Sequence, residues 1–353
     1  MRKRKIIMKF IIMAMVALSM ISCTLSNNGL SQDPIIIEQS SKQDISGKDN
    51  LWTDKKLNIM YISSGGDYRW YNTVFKNIKD EAKVWNISSF DHNISTLDEQ
   101  IKYLKQACNQ NIHAIAFCPR VETGWDETLT KVKEAGIPII LIDRTVNCAD
   151  ESLWHSRIVN DFDKEGQMAG EWVIEYLEKQ GKLDEEIKIA ELNGTEGAEA
   201  TKGRGQGFRE AIKNNINLEV VVSKCSDYTY SYAYDDMANI LSEITDIDVL
   251  FCHNDDMALG AIEAIEEAGL VPGEDIIIVS IMGTNAALKA IVDGKIACSV
   301  ECNPLMGDLF MEACVRLANG EEIEREIHPV DRVFDITNAQ AELDARKENG
   351  YGY

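Results

Sequence analysis

From Leu57 onward the chain alternates short β-branched runs with longer runs whose apolar residues recur at helical spacing. The pattern predicts strands at 57–62, 112–117, 137–142, 187–192, 219–222, 248–252, 276–281 and 297–301. Helices are predicted between them, at 71–84, 97–108, 126–135, 164–178, 200–212 and 256–268. Regular strand–helix alternation implies an α/β fold with parallel sheets covered on both faces. The alternation also repeats. Ala114-Ile-Ala-Phe-Cys118-Pro has a counterpart in Asp248-Val-Leu-Phe-Cys252-His, and each leads to a helix ending in Glu-Ala-Gly, at Gly136 and Gly269. Two similar lobes of doubly wound type are expected, with both glycines as helix C-caps.

In open parallel sheets, ligands bind beyond the carboxyl ends of the strands. Those ends carry a consistent chemistry here. Asp67, Arg69 and Trp70 follow the first strand, and Asp143-Arg144 follow the 137–142 strand. The loop after 187–192 leads to Arg204, and Asp227-Tyr228 follow 219–222. His253-Asn254-Asp255-Asp256 follow 248–252, and Glu301 and Asn303 close the last run. A sugar needs this mixture. Its hydroxyls pair with carboxylates, amides and the fork of Arg, while its C–H faces stack on rings such as Trp70 and Tyr228. Taken singly, Asp143-Arg144 reads as readily as a structural ion pair, and Trp70 as lobe packing. Asp255 or Asp256 is expected to cap the helix that follows. Six strand ends carrying such residues together support a ligand site.

The full chain has 353 residues, 45% hydrophobic and 27% charged, which excludes a disordered or fibrous protein. Its net charge of −22, with no basic patch, argues against a nucleic-acid partner. The N-terminus adds a location. Basic residues 2–5 precede an apolar run over 10–21, too short to span a bilayer but suited to a signal peptide. Met20-Ile21-Ser22-Cys23 resembles a bacterial lipoprotein cleavage site, so Cys23 is the expected lipidated residue. Plain secretion with a free Cys23 thiol is the alternative. A polar stretch to about Thr53 reads as a flexible tether. The other eight cysteines form no close Cys-x-x-Cys, several lie in apolar runs, and buried free thiols are expected.

From Leu57 to its end the chain resembles periplasmic substrate-binding proteins of ABC sugar importers, of the ribose- and galactose-binding type I family. It is most like the galactofuranose-binding branch. The likeness rests on Ala116-Phe-Cys-Pro-Arg-Val-Glu-Thr-Gly124-Trp125-Asp, Ile137-Pro-Ile-Ile-Leu-Ile-Asp143-Arg144, Leu192-Asn-Gly-Thr-Glu-Gly197 and Gly203-Arg204-Gly-Gln-Gly207-Phe208. His253-Asn254-Asp255-Asp256-Met257-Ala-Leu-Gly260 and Ser299-Val300-Glu301-Cys-Asn303-Pro304 extend it. It implies sugar contacts at Asp143, Arg144, Arg204, Asn254 and Glu301, with stacking near Trp70 and at Tyr228. Where the family carries an aspartate, this chain has Met282, in Ser280-Ile281-Met282-Gly283, which exchanges an anionic acceptor for an adaptable apolar contact. The first loop also departs from the branch, with Tyr68-Arg69-Trp70-Tyr71 in place of a Gly-Trp-Arg order.

The resemblance implies two doubly wound lobes joined by a three-crossing hinge near Arg157, Glu301 to Asn303, and residue 331. The expected organisation is a signal peptide over 1–22, then an anchor and tether over 23–55. One lobe is expected from 56–157 plus 302–330, and the other from 158–301 plus 331–353. The expected protein is a monomer with no cofactor and no metal. It captures a monosaccharide and hands it to an ABC permease with its ATPase, touching the membrane only through its anchor, in the periplasm or at the cell surface. Presentation of bound sugar to a chemoreceptor or sensor kinase is the alternative.

An enzyme is the rival class. Gly203-x-Gly205-x-Gly207 lacks dinucleotide-binding spacing and reads as helix packing, and no phosphate loop, His-Glu-x-x-His or nucleophile elbow occurs. Asp143 and Glu301 form a candidate glycosidase pair, but the surrounding Arg and Asn suit binding better.

Overall fold

The computed structural model describes residues 57–353 except 65–68, 86–87 and 93–95, with backbone only for 88–92. The expectations for Cys23, the leader, the tether and Asp67 lie outside the described residues.

The first sheet is built from β1 (Asn58–Ile62), β2 (Ser88–His92), β3 (Ala114–Phe117), β4 (Ile139–Ile142), β5 (Ser156–Ile158) and β11 (Glu326–Ile327). Its order is β11-β5-β4-β3-β1-β2, and every pairing is parallel. The second contains β6 (Ile187–Asn193), β7 (Leu218–Cys225), β8 (Val249–Cys252), β9 (Ile277–Met282), β10 (Cys298–Glu301) and β12 (Val333–Asp335). Its order is β12-β10-β9-β8-β6-β7, parallel except for β10 with β12. Strands β3, β4 and β8 are apolar or nearly so and wholly buried, as helices on both faces require.

The helices are α1 (Arg69–Val84), α2 (Leu97–Ala107), α3 (Asp126–Glu134), α4 (Phe162–Gln180), α5 (Glu199–Ile212), α6 (Tyr230–Glu243), α7 (Asp255–Glu267), α8 (Asn285–Val292), α9 (Gly307–Ala318) and α10 (Ala339–Asn349). Gly136 and Gly269 follow α3 and α7 with φ of +73° and +79°, the left-handed conformation that ends a helix. Cap assignment differs from expectation at α7. Asn254 is the N-cap, its Oδ1 accepting from Met257 N at 2.9 Å. Asp255 is instead buried, accepting from the hydroxyls of Ser280 and Ser299 and from Thr284 N, because two serines on neighbouring strands face it.

The glycines of α5 pack helices. A Cβ on Gly207 would lie 1.9 Å from the Asp163 carbonyl oxygen, and one on Gly166 of α4 would lie 2.1 Å from that of Arg204. Only glycine permits this approach, which presses α4 against α5 and fixes Arg204 between them.

The chain passes between the sheets three times, over 159–161, 302–306 and 328–332. These crossings are packed, not bare linkers: one apolar cluster runs from Ile59 and Tyr61 through Trp70, Cys302 and Phe310 to Val300. The eight described cysteines are free thiols. Cys118, Cys252, Cys298, Cys302 and Cys314 are buried, Cys108 and Cys148 are half-buried, and Cys225 is exposed.

Candidate functional site

The first lobe presents its polar groups where β1, β3 and β4 end. Asp143 follows β4 with φ of +63°, a strained value for a residue with a side chain. Its carbonyl accepts from Arg157 Nε at 2.8 Å, and its Oδ2 from the Tyr71 hydroxyl at 2.6 Å. Arg144 donates through Nε to that same hydroxyl (3.1 Å) and through Nη1 to the Arg120 carbonyl (3.3 Å). Trp70 packs edge-on against Tyr71 and donates its indole N–H to the carbonyl of Cys302, in the second hinge crossing, at 2.7 Å.

The second lobe contributes a buried group centred on Arg204. Its Nε donates to Glu165 Oε2 (2.7 Å) and its Nη1 to the His253 carbonyl (2.8 Å). Its guanidinium lies 5.9 Å from the Tyr228 ring centroid. That ring lies against Gly194, where a Cβ would sit 1.9 Å from it, and its hydroxyl bonds with that of Thr201. The Tyr228 carbonyl accepts from Asn254 Nδ2 at 3.2 Å. Behind Arg204, the other oxygen of Glu165 has no hydrogen-bond partner among the described residues, and the Cys302 thiol neighbours the carboxylate.

Charges tie the halves together. Burial raises the carboxyl of Glu165, and the negative charge of Asp143 in the other lobe adds to that rise. Burial likewise raises Asp143, with Glu199 of α5 contributing. Asp256, in the first turn of α7, is raised by burial and pulled back by Arg69 of α1. Arg157 spans the lobes directly, donating from both Nη atoms to Glu199 at 3.0 and 2.7 Å.

The structure therefore joins Trp70, Asp143, Arg144, Arg204, Tyr228 and Asn254 through Tyr71, Cys302 and Glu165, with Arg69 exposed opposite Asp256. Tyr228 and Met282 share the strained backbone of Asp143, with φ of +55° and +131°. The four non-glycine residues of positive φ among the described residues, Asp227 included, all lie at or just past strand ends. Met282 is half-buried beside Glu301 in register, packed against the hinge cluster.

Glu301, expected as a sugar contact, has protein partners of its own. Its oxygens accept from Arg332 at 2.7 and 2.8 Å, from Tyr353 Oη at 2.9 Å and from Arg346 at 3.4 Å, so the carboxylate is occupied within the second lobe. Both arginines also bind Glu342. That network depends on α10 folding back on β10, a tertiary event with no local sequence signal.

Tyr71, Glu165 and Glu199 are the site residues that strand-end spacing overlooked. Tyr71 stands one position past the Asp67–Trp70 set, and a wider window would have included it. Glu165 lies on the buried face of α4, where nothing local marks it.

A family model described as a periplasmic binding protein domain matches residues 59–322. The galactofuranose-binding protein YtfQ of Escherichia coli (strain K12) is 35% identical over 300 residues, 84% of this chain and 93% of that one. A Mycobacterium smegmatis structure in complex with β-D-fucofuranose superposes with a TM-score of 0.69 at 36% identity, covering 83% of this chain and 96% of the other. The binding component of the arabinose ABC transporter of Shewanella sp. ANA-3, bound to α- and β-L-arabinofuranose, gives 0.70 at 33% identity, with coverages of 83% and 96%. Two parallel sheets joined by three packed crossings, with charged and aromatic groups gathered where their strands end, are what this match describes: the chain belongs to the periplasmic binding protein family, a family of solute binders and not of enzymes.

Proposed function

We propose that the protein is an exported, lipid-anchored solute-binding protein that closes its lobes over one furanose monosaccharide and delivers it to an ABC importer. One observation carries the reading: polar groups from both lobes converge at the strand ends with capacity to spare. Arg204 is 3% exposed, and its Nη2 has no acceptor among the described residues. Arg144 Nη2 and Asp143 Oδ1 are likewise without partners among them. Donors and acceptors left spare at the strand ends are what the hydroxyls of a polar ligand would pair with. The furanose ligands and galactofuranose name of the relatives supply the sugar class.

In this reading Trp70 and Tyr228 flank the ligand, Asp143, Arg144, Arg204 and Asn254 bond its hydroxyls, and Arg69 and Met282 border it. Glu301 moves from the ligand set to the hinge.

A thermal-shift screen over D-galactose, L-arabinose, D-fucose, pyranose-locked methyl glycosides and nucleosides tests the reading. Sugars able to adopt a furanose ring should raise the melting temperature, and a hundredfold excess over Kd stabilises by about 2.7 kcal/mol. Stabilisation by nucleosides alone would overturn it. The anchor is tested separately: Cys23→Ser should release the protein from the membrane fraction.

A further inference from the structure

The Tyr71 hydroxyl lies between the members of the Asp143–Arg144 pair. It donates to Asp143 Oδ2 (2.6 Å) and accepts from Arg144 Nε (3.1 Å), and the Arg144 guanidinium carbon is 5.6 Å from the Tyr71 ring centroid. A hydroxyl has one proton, so with the proton on the carboxylate a lone pair must face the guanidinium. Arg157 holds the other end of Asp143, bonding its carbonyl where the backbone is left-handed. These bonds use Oδ2 and Nε. Oδ1 of Asp143 and Nη2 of Arg144 have no partner among the described residues, an acceptor and a donor on adjacent residues.

We propose that Tyr71 is a positioning residue: its hydroxyl orients Asp143 and Arg144 so that they receive two neighbouring hydroxyls of the ligand as an acceptor–donor pair. The proposal rests on the monosaccharide reading for its ligand, but the orientation itself is a property of the unliganded protein. It gives Tyr71 an effect on selectivity, because a diol of inverted geometry meets the same fixed pair with one hydroxyl misplaced.

The pair's protonation supplies a readout that loss of packing would not move. Asp143 is raised by burial, while the Tyr71 hydroxyl, Arg144 and Arg157 hold it down. Among the described residues, Tyr61 of β1, Cys118 after β3, Glu165 of α4 and Glu199 of α5 are the other titratable groups around it. Tyr71→Phe deletes a bond to the ionised form, so Asp143 rises further. A folded state that holds its proton longer than the unfolded chain loses stability as pH rises from the ordinary carboxylate range toward the raised value.

The experiment compares wild type and Tyr71→Phe in two arms. Without ligand, the gap in melting temperature should widen between pH 4 and pH 7, and it should stop widening when both proteins carry Asp143→Asn. With L-arabinose as the probe, calorimetry should show about tenfold weaker binding in the variant, or about 1.4 kcal/mol. Preference over the C2 epimer L-ribose should also contract. A pH-independent gap with an unchanged epimer ratio overturns the proposal. A widening gap in a protein whose wild type binds none of the furanose-forming sugars of the thermal-shift screen supports the orientation by Tyr71 and overturns the sugar reading instead.

Discussion

Arg204→Ala tests how the second lobe is built. The guanidinium faces Glu165 with side-chain exposures of 4% and 0%, so the mutation strands a carboxylate with no access to water. Breaking a buried pair from one side costs about 3–5 kcal/mol. The cost should depend on pH. Burial already raises Glu165, and Arg204 is the strongest influence holding it down, so the variant's carboxyl rises further. Its folded state then retains a proton that the unfolded chain releases near pH 4. Stability declines from there up to the raised pKa, by about 1.4 kcal/mol per unit of separation. Urea denaturation at pH 5 and pH 7.5 measures this. The penalty should reach about 3 kcal/mol at the higher pH and be smaller by about 1 kcal/mol or more at the lower, in line with a buried pair losing one partner. Adding Glu165→Gln should restore part of the loss at pH 7.5, and ligand affinity should fall about tenfold or more as partners are left unpaired. A penalty that is small and flat with pH would show that the pair is neither buried nor charged as described.

Two further outcomes follow from the packing and the hinge. Gly207→Ala places a methyl 1.9 Å from a backbone oxygen of α4, an obstacle that cannot rotate away, and should cost about 3 kcal/mol in urea denaturation; unchanged stability would mean the helices are not pressed together there. Asp331, in the third crossing, is pushed up to about 8 by burial and then by the charge of Glu165, while its Oδ1 accepts from Asn160 Nδ2 and Asn303 N. A raised carboxyl draws stability down as pH climbs from about 4 to 8, so Asp331→Asn, which keeps an accepting oxygen, should gain on wild type across that window. An equal difference in melting temperature at pH 5 and pH 8 would refute the assignment.

How much of this was legible beforehand varies by element. Strands β3, β4 and β8 are continuous apolar runs, and the helices beside them keep a 3.6-residue period, so burial on both faces is written into them. Strand β5, Ser156–Ile158, carries no such signal. Three residues with an arginine at their centre pair between β4 and β11 because the sheet offers a place, and Arg157 then reaches the cleft and the opposite lobe. Strand β7 runs three residues past its predicted end, through Ser223 and Lys224 to Cys225, because β6 continues beside it to Asn193 and pairs with them.

The candidate site divides the same way. Asp143, Arg144, Tyr228 and Asn254 stand just past strands, and the rule that parallel sheets bind ligands at those ends singles them out from the order of residues alone. Partnerships were not available from that order. Asn254 caps α7 while its acidic neighbour Asp255 is drawn inward by two serines, and Glu301, written like a ligand residue, is taken by Arg332, Arg346 and Tyr353. Periodicity and strand-end position are local properties, set by which face of a segment must leave water. Which carboxylate keeps an oxygen free is decided by the charges that distant segments bring within hydrogen-bond range, and only the folded chain does that.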